Sequence, residues 1–297
     1  MFNKRGRIKD RFPLVGIFLL LLFGIALFMY PIVSDWICEY NSKEEINAYD
    51  QKVTKTESTL LRKLENEAID YNTALAKKDT QKISVVKYDD LLAVADAISY
   101  IEIPKIGVYL PIYHGLSDEV LQKGIGHMEG TSLPVGGEGT HCVLAGHTGL
   151  PTAEIFTDLD QMSEGDSFFI HVLDKVLEYQ VDQIKVVLPY EEDDIQIEEG
   201  KDYITLLTCT PYGINDHRLL VRGKRIVHNP EVAIDNTDYW PIVHESEKKL
   251  PLRTIIWYCA TVVIGVVLLV IIIILLFPDK KRKKKTMKTS SDNRAGG

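Results

Sequence analysis

Cys209 and Arg218 stand at facing ends of two apolar runs in the segment TLLTCTPYGINDHRLLVRG, Thr205 to Gly223. The first run, Tyr203 to Leu207, delivers the cysteine. A turn-rich loop with Pro211, Gly213 and Asn215 follows, and the second run, Leu219 to Val221, starts directly after the arginine. Two β-like runs joined in this way read as a hairpin, and residues facing across a hairpin lie about 5 Å apart. A cation beside a thiol favours the thiolate, the nucleophilic form of cysteine. The segment is therefore a candidate for covalent catalysis. The competing reading is a buried, inert cysteine beside a surface arginine, because free cysteine commonly packs as a small hydrophobe.

A cysteine nucleophile needs a proton-transfer partner and a group that stabilises an oxyanion. Among eight histidines, His147 is the best placed. It follows the strand-like HCVLAG and sits in the turn Gly146-His147-Thr148-Gly149, from where it can reach another strand end. His217 points to the opposite face from Arg218 if their strand is regular. His141 opens its strand and belongs at the other end of the sheet, while His114 and His127 read as loop residues. His141, Cys142, His147 and Cys209 are zinc-compatible types, but their spacing matches no CxxC or HExxH pattern. Cys142 and Cys209 are also the two core cysteines that a disulfide could join, although four cysteines are few for a disulfide scaffold.

The elements that must position these groups are legible from periodicity. Residues 41–78 lack Pro and Gly, and Ile46, Tyr49, Val53, Leu60, Leu64, Ala68, Tyr71 and Leu75 recur at steps near 3 and 4. That is one apolar face of a helix, or of two helices broken near Thr56; packing on the following domain is the first reading and a coiled-coil partner the second. Residues 79–97 read as a loop with a helical turn. From Ser99 the pattern becomes short β-like runs: Tyr100–Ile103, Val108–Tyr113, His141–Ala145, Phe168–Val172 and Val176–Val187 around a turn at Asp174, then Tyr203–Thr208 and Arg218–Val227. Short helices are expected at Asp118–Lys123 and Ala153–Leu159. Seven or eight strands in so short a span predict a small closed β-barrel. The acidic run Glu191–Glu199 reads as a solvated loop, or as a contact for a basic protein partner.

Two uncharged apolar stretches, Leu14–Val33 and Ile255–Phe277, are each long enough for a membrane-spanning helix. Basic residues flank both on their outer sides: Lys4, Arg5, Arg7, Lys9 and Arg11 before the first, Lys280 to Lys285 after the second. The positive-inside tendency then puts both termini in the cytoplasm and the intervening residues outside. The first stretch is longer than a signal-peptide core and lacks a small-x-small cleavage site, so it reads as an uncleaved anchor. Residues 1–13 carry +4 and residues 279–297 carry +6, so that of the total of −8 the section between them holds −18. An ectodomain that acidic is a poor nucleic-acid binder.

The segment around Cys209 and Arg218 closely resembles the catalytic signature of sortases. VLAGHTG resembles the sortase histidine motif, and YIEIPKIGVYLPIYHG, Tyr100 to Gly115, the opening strands of the sortase barrel. GHMEGTSLPVGGEGTH, Gly126 to His141, and TPYGINDHRLLVRG look like class C, the pilin-polymerising branch, and two anchors around one domain fit the same class. The resemblance covers about Ser99 to Val227. It implies a closed eight-stranded sortase-type barrel with short helices, preceded by N-terminal helices and flanked by two transmembrane helices. The layout is residues 1–13 cytoplasmic, 14–33 transmembrane, 34–98 helical and extracellular, 99–228 catalytic, 229–254 linker, 255–277 transmembrane and 278–297 a cytoplasmic tail.

The implied chemistry is attack by Cys209 on the Thr–Gly bond of an LPxTG-like sorting signal, giving a thioacyl-enzyme that a lysine of the next pilin resolves as an isopeptide bond. His147 is then general acid and base, Arg218 holds the substrate carbonyl and oxyanion, and no metal or organic cofactor takes part. Class C relatives commonly carry a lid with an Asp-Pro-aromatic motif; here Asp79-Thr80-Gln81 stands at that place, which predicts a more open cleft. Other classes fit some of the same residues. They are a housekeeping wall-anchoring sortase, a membrane cysteine protease that passes the acyl group to water, and a wall-anchored surface protein. The last rests on Leu250-Pro251-Leu252-Arg253-Thr254 before an apolar span, although an extra residue precedes the Thr and Ile255 stands where Gly is needed.

Overall fold

Short runs rich in β-branched, aromatic and other apolar residues, punctuated by Gly and Pro, build eight strands: β1 (Ser99–Ile103), β2 (Val108–His114), β3 (Ile125–His127), β4 (Thr140–Ala145), β5 (Ser167–Val172), β6 (Lys175–Val187), β7 (Asp202–Thr210) and β8 (His217–Ile226). They close into a barrel in the order β1-β2-β3-β4-β7-β8-β6-β5. The computed structural model describes residues 12–150 and 155–226, with Gly265 and Leu268. The expected linker, second span and basic ends otherwise lie outside the described residues, as does the sorting-like Leu250–Thr254 stretch.

Two neighbouring pairs are parallel, β2 with β3 and β4 with β7; the rest are antiparallel. Parallel neighbours need a crossover. Between β2 and β3 it is the short helix Asp118–Lys123, capped by Ser117, whose hydroxyl accepts from Val120 N. Between β4 and β7 it contains the whole β5–β6 hairpin. Closure leaves no unpaired sheet edge. The interior is filled by Ile101, Ile112, Ile125, Leu144, Phe168, Ile170, Tyr179, Ile204, Leu206 and Val221, all but inaccessible to solvent.

The strand expectations hold with two differences, and one helix expectation does not hold. β3 is a strand that periodicity missed, since three residues are too short to show alternation. His114 and His127, expected in loops, are paired ends of β2 and β3. The expected helix Ala153–Leu159 is not there among the described residues, where 155–158 is a turn followed by the 3₁₀ turn Leu159–Gln161.

The helices before the barrel are α1 (Phe12–Lys55), α2 (Ser58–Ala76) and α3 (Thr80–Val85). The break at 56–57 falls where the apolar stripe is interrupted. Ile46, Tyr49, Val53, Ala68 and Tyr71 are buried as the periodicity requires, but Leu61 takes the inward place expected of Leu60, which is exposed. Polar groups fix the packing. The Tyr49 hydroxyl donates to Ile98 O (3.2 Å) and accepts from Leu173 N (2.7 Å). The Asn72 amide pairs with both backbone groups of Leu133, at 3.1 and 2.7 Å. One helix among the described residues is long and apolar enough to cross a membrane, and it lies at the N-terminus. The chain divides into two compact units, Pro31–Lys248 with the barrel and Met1–Tyr30 with Lys249–Gly297. Within the second unit a Cβ added at Gly265 would lie 3.5 Å from Ile25 Cδ1.

Candidate active site

Along β7, Ile204, Leu206 and Thr208 point into the barrel and are buried, so Tyr203, Thr205, Leu207 and Cys209 occupy the outer face. β8 pairs with it so that Leu207 faces Leu220 and Cys209 faces Arg218. On the other flanks Ala145 of β4 lies beside Leu207, and Val187 of β6 beside Arg218. These outer-face residues make an apolar floor with one thiol and one guanidinium on it. Leu116, Leu121 and Met128, the turn at Gly146 and His147, and Pro189, Glu191, Glu192 and Ile195 of the β6–β7 loop wall the floor into a cleft of about 290 Å³. Cys209, His147 and Arg218 all line it, and each is partly exposed.

His147 reaches the cleft because its turn is tied to β7. Gly146 N donates to Leu207 O (3.0 Å), and the buried Thr208 hydroxyl donates to Gly146 O (2.7 Å). The residue before Cys209 thus holds the residue before His147. Gly146 has no room for a side chain: a Cβ would lie 2.7 Å from the Phe156 ring and 2.9 Å from Ile125 and Ile155. Phe156 N donates to His147 O at 3.0 Å, holding the turn from behind. Arg218 is anchored through one nitrogen, Nη1, which donates to Asn215 O (3.2 Å) and His217 O (3.0 Å). A guanidinium has five N–H donors, so others remain to aim at a substrate oxygen.

The remaining candidates are elsewhere. His217 bonds to Asp216 (2.8 Å) and is not among the residues lining the cleft. His141 lies at the far end of β4, buried; its Nδ1–H donates to Gln196 O (2.9 Å) and its Nε2 accepts from the Thr205 hydroxyl (2.8 Å), which ties down the β6–β7 loop. Burial holds its pKa below the ordinary value. His127 is wholly buried. Its Nε2–H donates to the Ser132 carbonyl (2.9 Å), leaving Nδ1 to accept from the Tyr88 hydroxyl (2.6 Å), while Tyr88 also packs edge-on against His114. Burial pushes the His127 pKa down to about 4. Cys142 is a buried free thiol whose pKa burial raises, and Cys209 is free as well, so no disulfide joins the two.

Asp79, the residue at the expected lid position, accepts from Lys82 N (3.2 Å) as the N-cap of α3. Among the described residues, none before Leu116 lines the cleft. Sequence reasoning also missed the cleft walls and Thr208. The walls come from loops without periodicity, and Thr208 carries no signal beyond its place beside the cysteine.

A thiol, an imidazole and a guanidinium converging on an apolar floor can form a covalent acyl intermediate, move a proton to a leaving group and steady an oxyanion. The sortase domain family matches residues 101–226. Sortase A of Bacillus anthracis is 28% identical over half of this chain and 72% of its own length, and sortase D of Bacillus subtilis 29% identical over 44% and 64%. Sortase C1 of Streptococcus agalactiae is 47% identical, matches 63% of this chain and 99% of its own, and superposes with a TM-score of 0.60. Sortase C of Clostridium perfringens is 46% identical over 62% and 98%, with a TM-score of 0.56. With its barrel, its cysteine-bearing hairpin and these likenesses, the chain belongs to the sortase family of cysteine transpeptidases, in class C.

Proposed function

We propose that this protein is a membrane-anchored transpeptidase that joins pilin subunits through lysine isopeptide bonds. The observation that carries the reading is the convergence of Cys209, His147 and Arg218 on one cleft. Cys209 Sγ attacks the Thr carbonyl carbon of an LPxTG-like signal. The tetrahedral oxyanion is held by Arg218, the C–N bond breaks, and His147 delivers a proton to the departing glycine amine. A pilin lysine Nζ then attacks the thioester. His147 takes its proton, the sulfur leaves, and an isopeptide bond remains. Apolar Leu207, Leu220 and Val187 beneath the reacting atoms strengthen each charge interaction by excluding water. Glu191 and Glu192 at the wall put negative charge where an ammonium-bearing acceptor must approach.

Two relatives lend support for the substrate class: one solved likeness is the sortase C1 of a streptococcal pilus island, and the Clostridium perfringens sortase C was solved with a C-terminal cell-wall sorting motif. For the layout, we assign residues 14–33 and 255–277 as spans, 34–98 and 99–228 as the extracellular helical and catalytic parts, 229–254 as a linker, and residues 1–13 and 278–297 as cytoplasmic. The basic flanks and the position of Gly265 against Ile25 support it.

The test is to incubate the full chain in detergent micelles with an LPxTG peptide and then with a pilin. Mass spectrometry should find an acyl adduct on Cys209 that chases into a lysine-linked product. An adduct released only to water would favour a protease, and no adduct with any sorting peptide would refute transpeptidation.

A further inference from the structure

The turn carrying His147 is gripped at one end by β7, which carries Cys209, and at the other by the loop that follows it. At its start, Gly146 is bonded to Leu207 and Thr208 of β7. At its end, Gly149 meets the ring of Tyr212, three residues beyond Cys209 in the β7–β8 loop: a Cβ on Gly149 would lie 2.7 Å from Tyr212 Cε2 and 3.2 Å from Cδ2 and Cζ. Gly149 also has φ +71° and donates its N–H to the Thr157 hydroxyl (3.1 Å). The left-handed backbone and the ring both call for glycine. Tyr212 is 70% exposed, so burial of its ring does not account for it. Nor is it among the residues that line the cleft.

We propose that Tyr212 is a positioning residue: its ring braces the Gly149 end of the turn and so sets the separation of His147 from Cys209. Proton transfer depends steeply on that separation, and a misplacement of about 1 Å can cost on the order of 100-fold in rate. The ring supplies the brace and the hydroxyl does not, so phenylalanine substitutes for it. Alanine at position 149 pushes the ring away and produces the same defect from the other partner.

The inference rests on the roles proposed for Cys209 and His147. Steady-state cleavage of an LPxTG peptide by the full chain in micelles tests it, with thermal unfolding measured alongside. Tyr212→Ala is expected to lower kcat by about 10- to 100-fold with KM little changed, to move the pH–rate profile, and to leave the melting temperature unaltered. Tyr212→Phe should restore the wild-type rate. Gly149→Ala should be slow, and the double variant should lose less than the product of the two single losses. A raised KM at unchanged kcat would make the ring a substrate contact and overturn the proposal. So would a phenylalanine variant as slow as the alanine one, or a rate loss that tracks a lowered melting temperature. Wild-type turnover with unimpaired Tyr212→Ala refutes this inference alone, whereas failure of the wild type to form an acyl adduct removes the reading beneath it.

Discussion

A guanidinium at position 218 can be fixed to its own loop through Nη1 and still present a planar set of donors to an oxyanion. An ammonium cannot divide its work that way, because its donors share one nitrogen. Arg218→Ala should therefore lower kcat by about 100- to 1,000-fold, the range for losing one oxyanion donor, and Arg218→Lys should recover only part of it. Full recovery by lysine, measured as the rate of peptide cleavage, would show that charge alone is required. His127 makes a different kind of prediction. Its ordinary pKa of 6.5 falls to about 4 in the folded protein because it is buried. As pH drops from 6.5 towards 4, the unfolded chain takes up a proton that the folded chain refuses, so stability is lost in the acid direction. For His127 alone the loss from pH 7 to pH 5 is about 2 kcal/mol, and burial depresses His114 and His141 in the same sense. Urea unfolding of the full chain in micelles at the two pH values should show a shallower acid loss in His127→Gln than in the wild type; equal losses would contradict the assignment.

At the level of elements, the cleft is walled by β6–β7, β2–β3, β3–β4 and post-β4 segments and by nothing upstream of the barrel among the described residues. Asp79 is spent as a helix cap. The thiol of Cys209 should then react with a small methanethiosulfonate reagent at a rate near that of an unhindered thiol, and Asp79→Ala should leave the rate unchanged. Protection of Cys209 relieved by that substitution would reveal a lid. Cys209→Ala should remove the fast phase, and Cys142 should stay unlabelled because it is buried. How legible each element was follows from its length and its surroundings. β7 and β8 could be read because both are long, carry continuous apolar runs and bracket a loop with Gly213 and Asn215 at positive φ. The pairing of Cys209 with Arg218 follows from that loop's length. β3 could not be read, since three residues carry no period and its existence depends on β2 and β4 lying beside it. The walls of the cleft were hidden for the same reason, being loops placed by the barrel rather than by their own composition.

Across the whole molecule, His147 and Cys209 emerge side by side only because β4 and β7 are parallel neighbours, although the bond from Thr208 to Gly146 spans 62 positions of the chain. Strand order could not be derived from periodicity, because nothing local says that the β5–β6 hairpin is looped out between them. That topology has a kinetic side. Among the described residues β7 and β8 are the last strands to be synthesised, and they fill the gap between β4 and β6. Pairings so distant in sequence form late, after the loop-closure entropy has been met. A chain still being synthesised, or cut off before residue 202, lacks the β7 bonds that fix the histidine turn to the sheet and has no hairpin to present a thiol. Competence for acyl transfer therefore arrives in one step with ring closure, and an unfinished molecule cannot capture a substrate that it is unable to pass on.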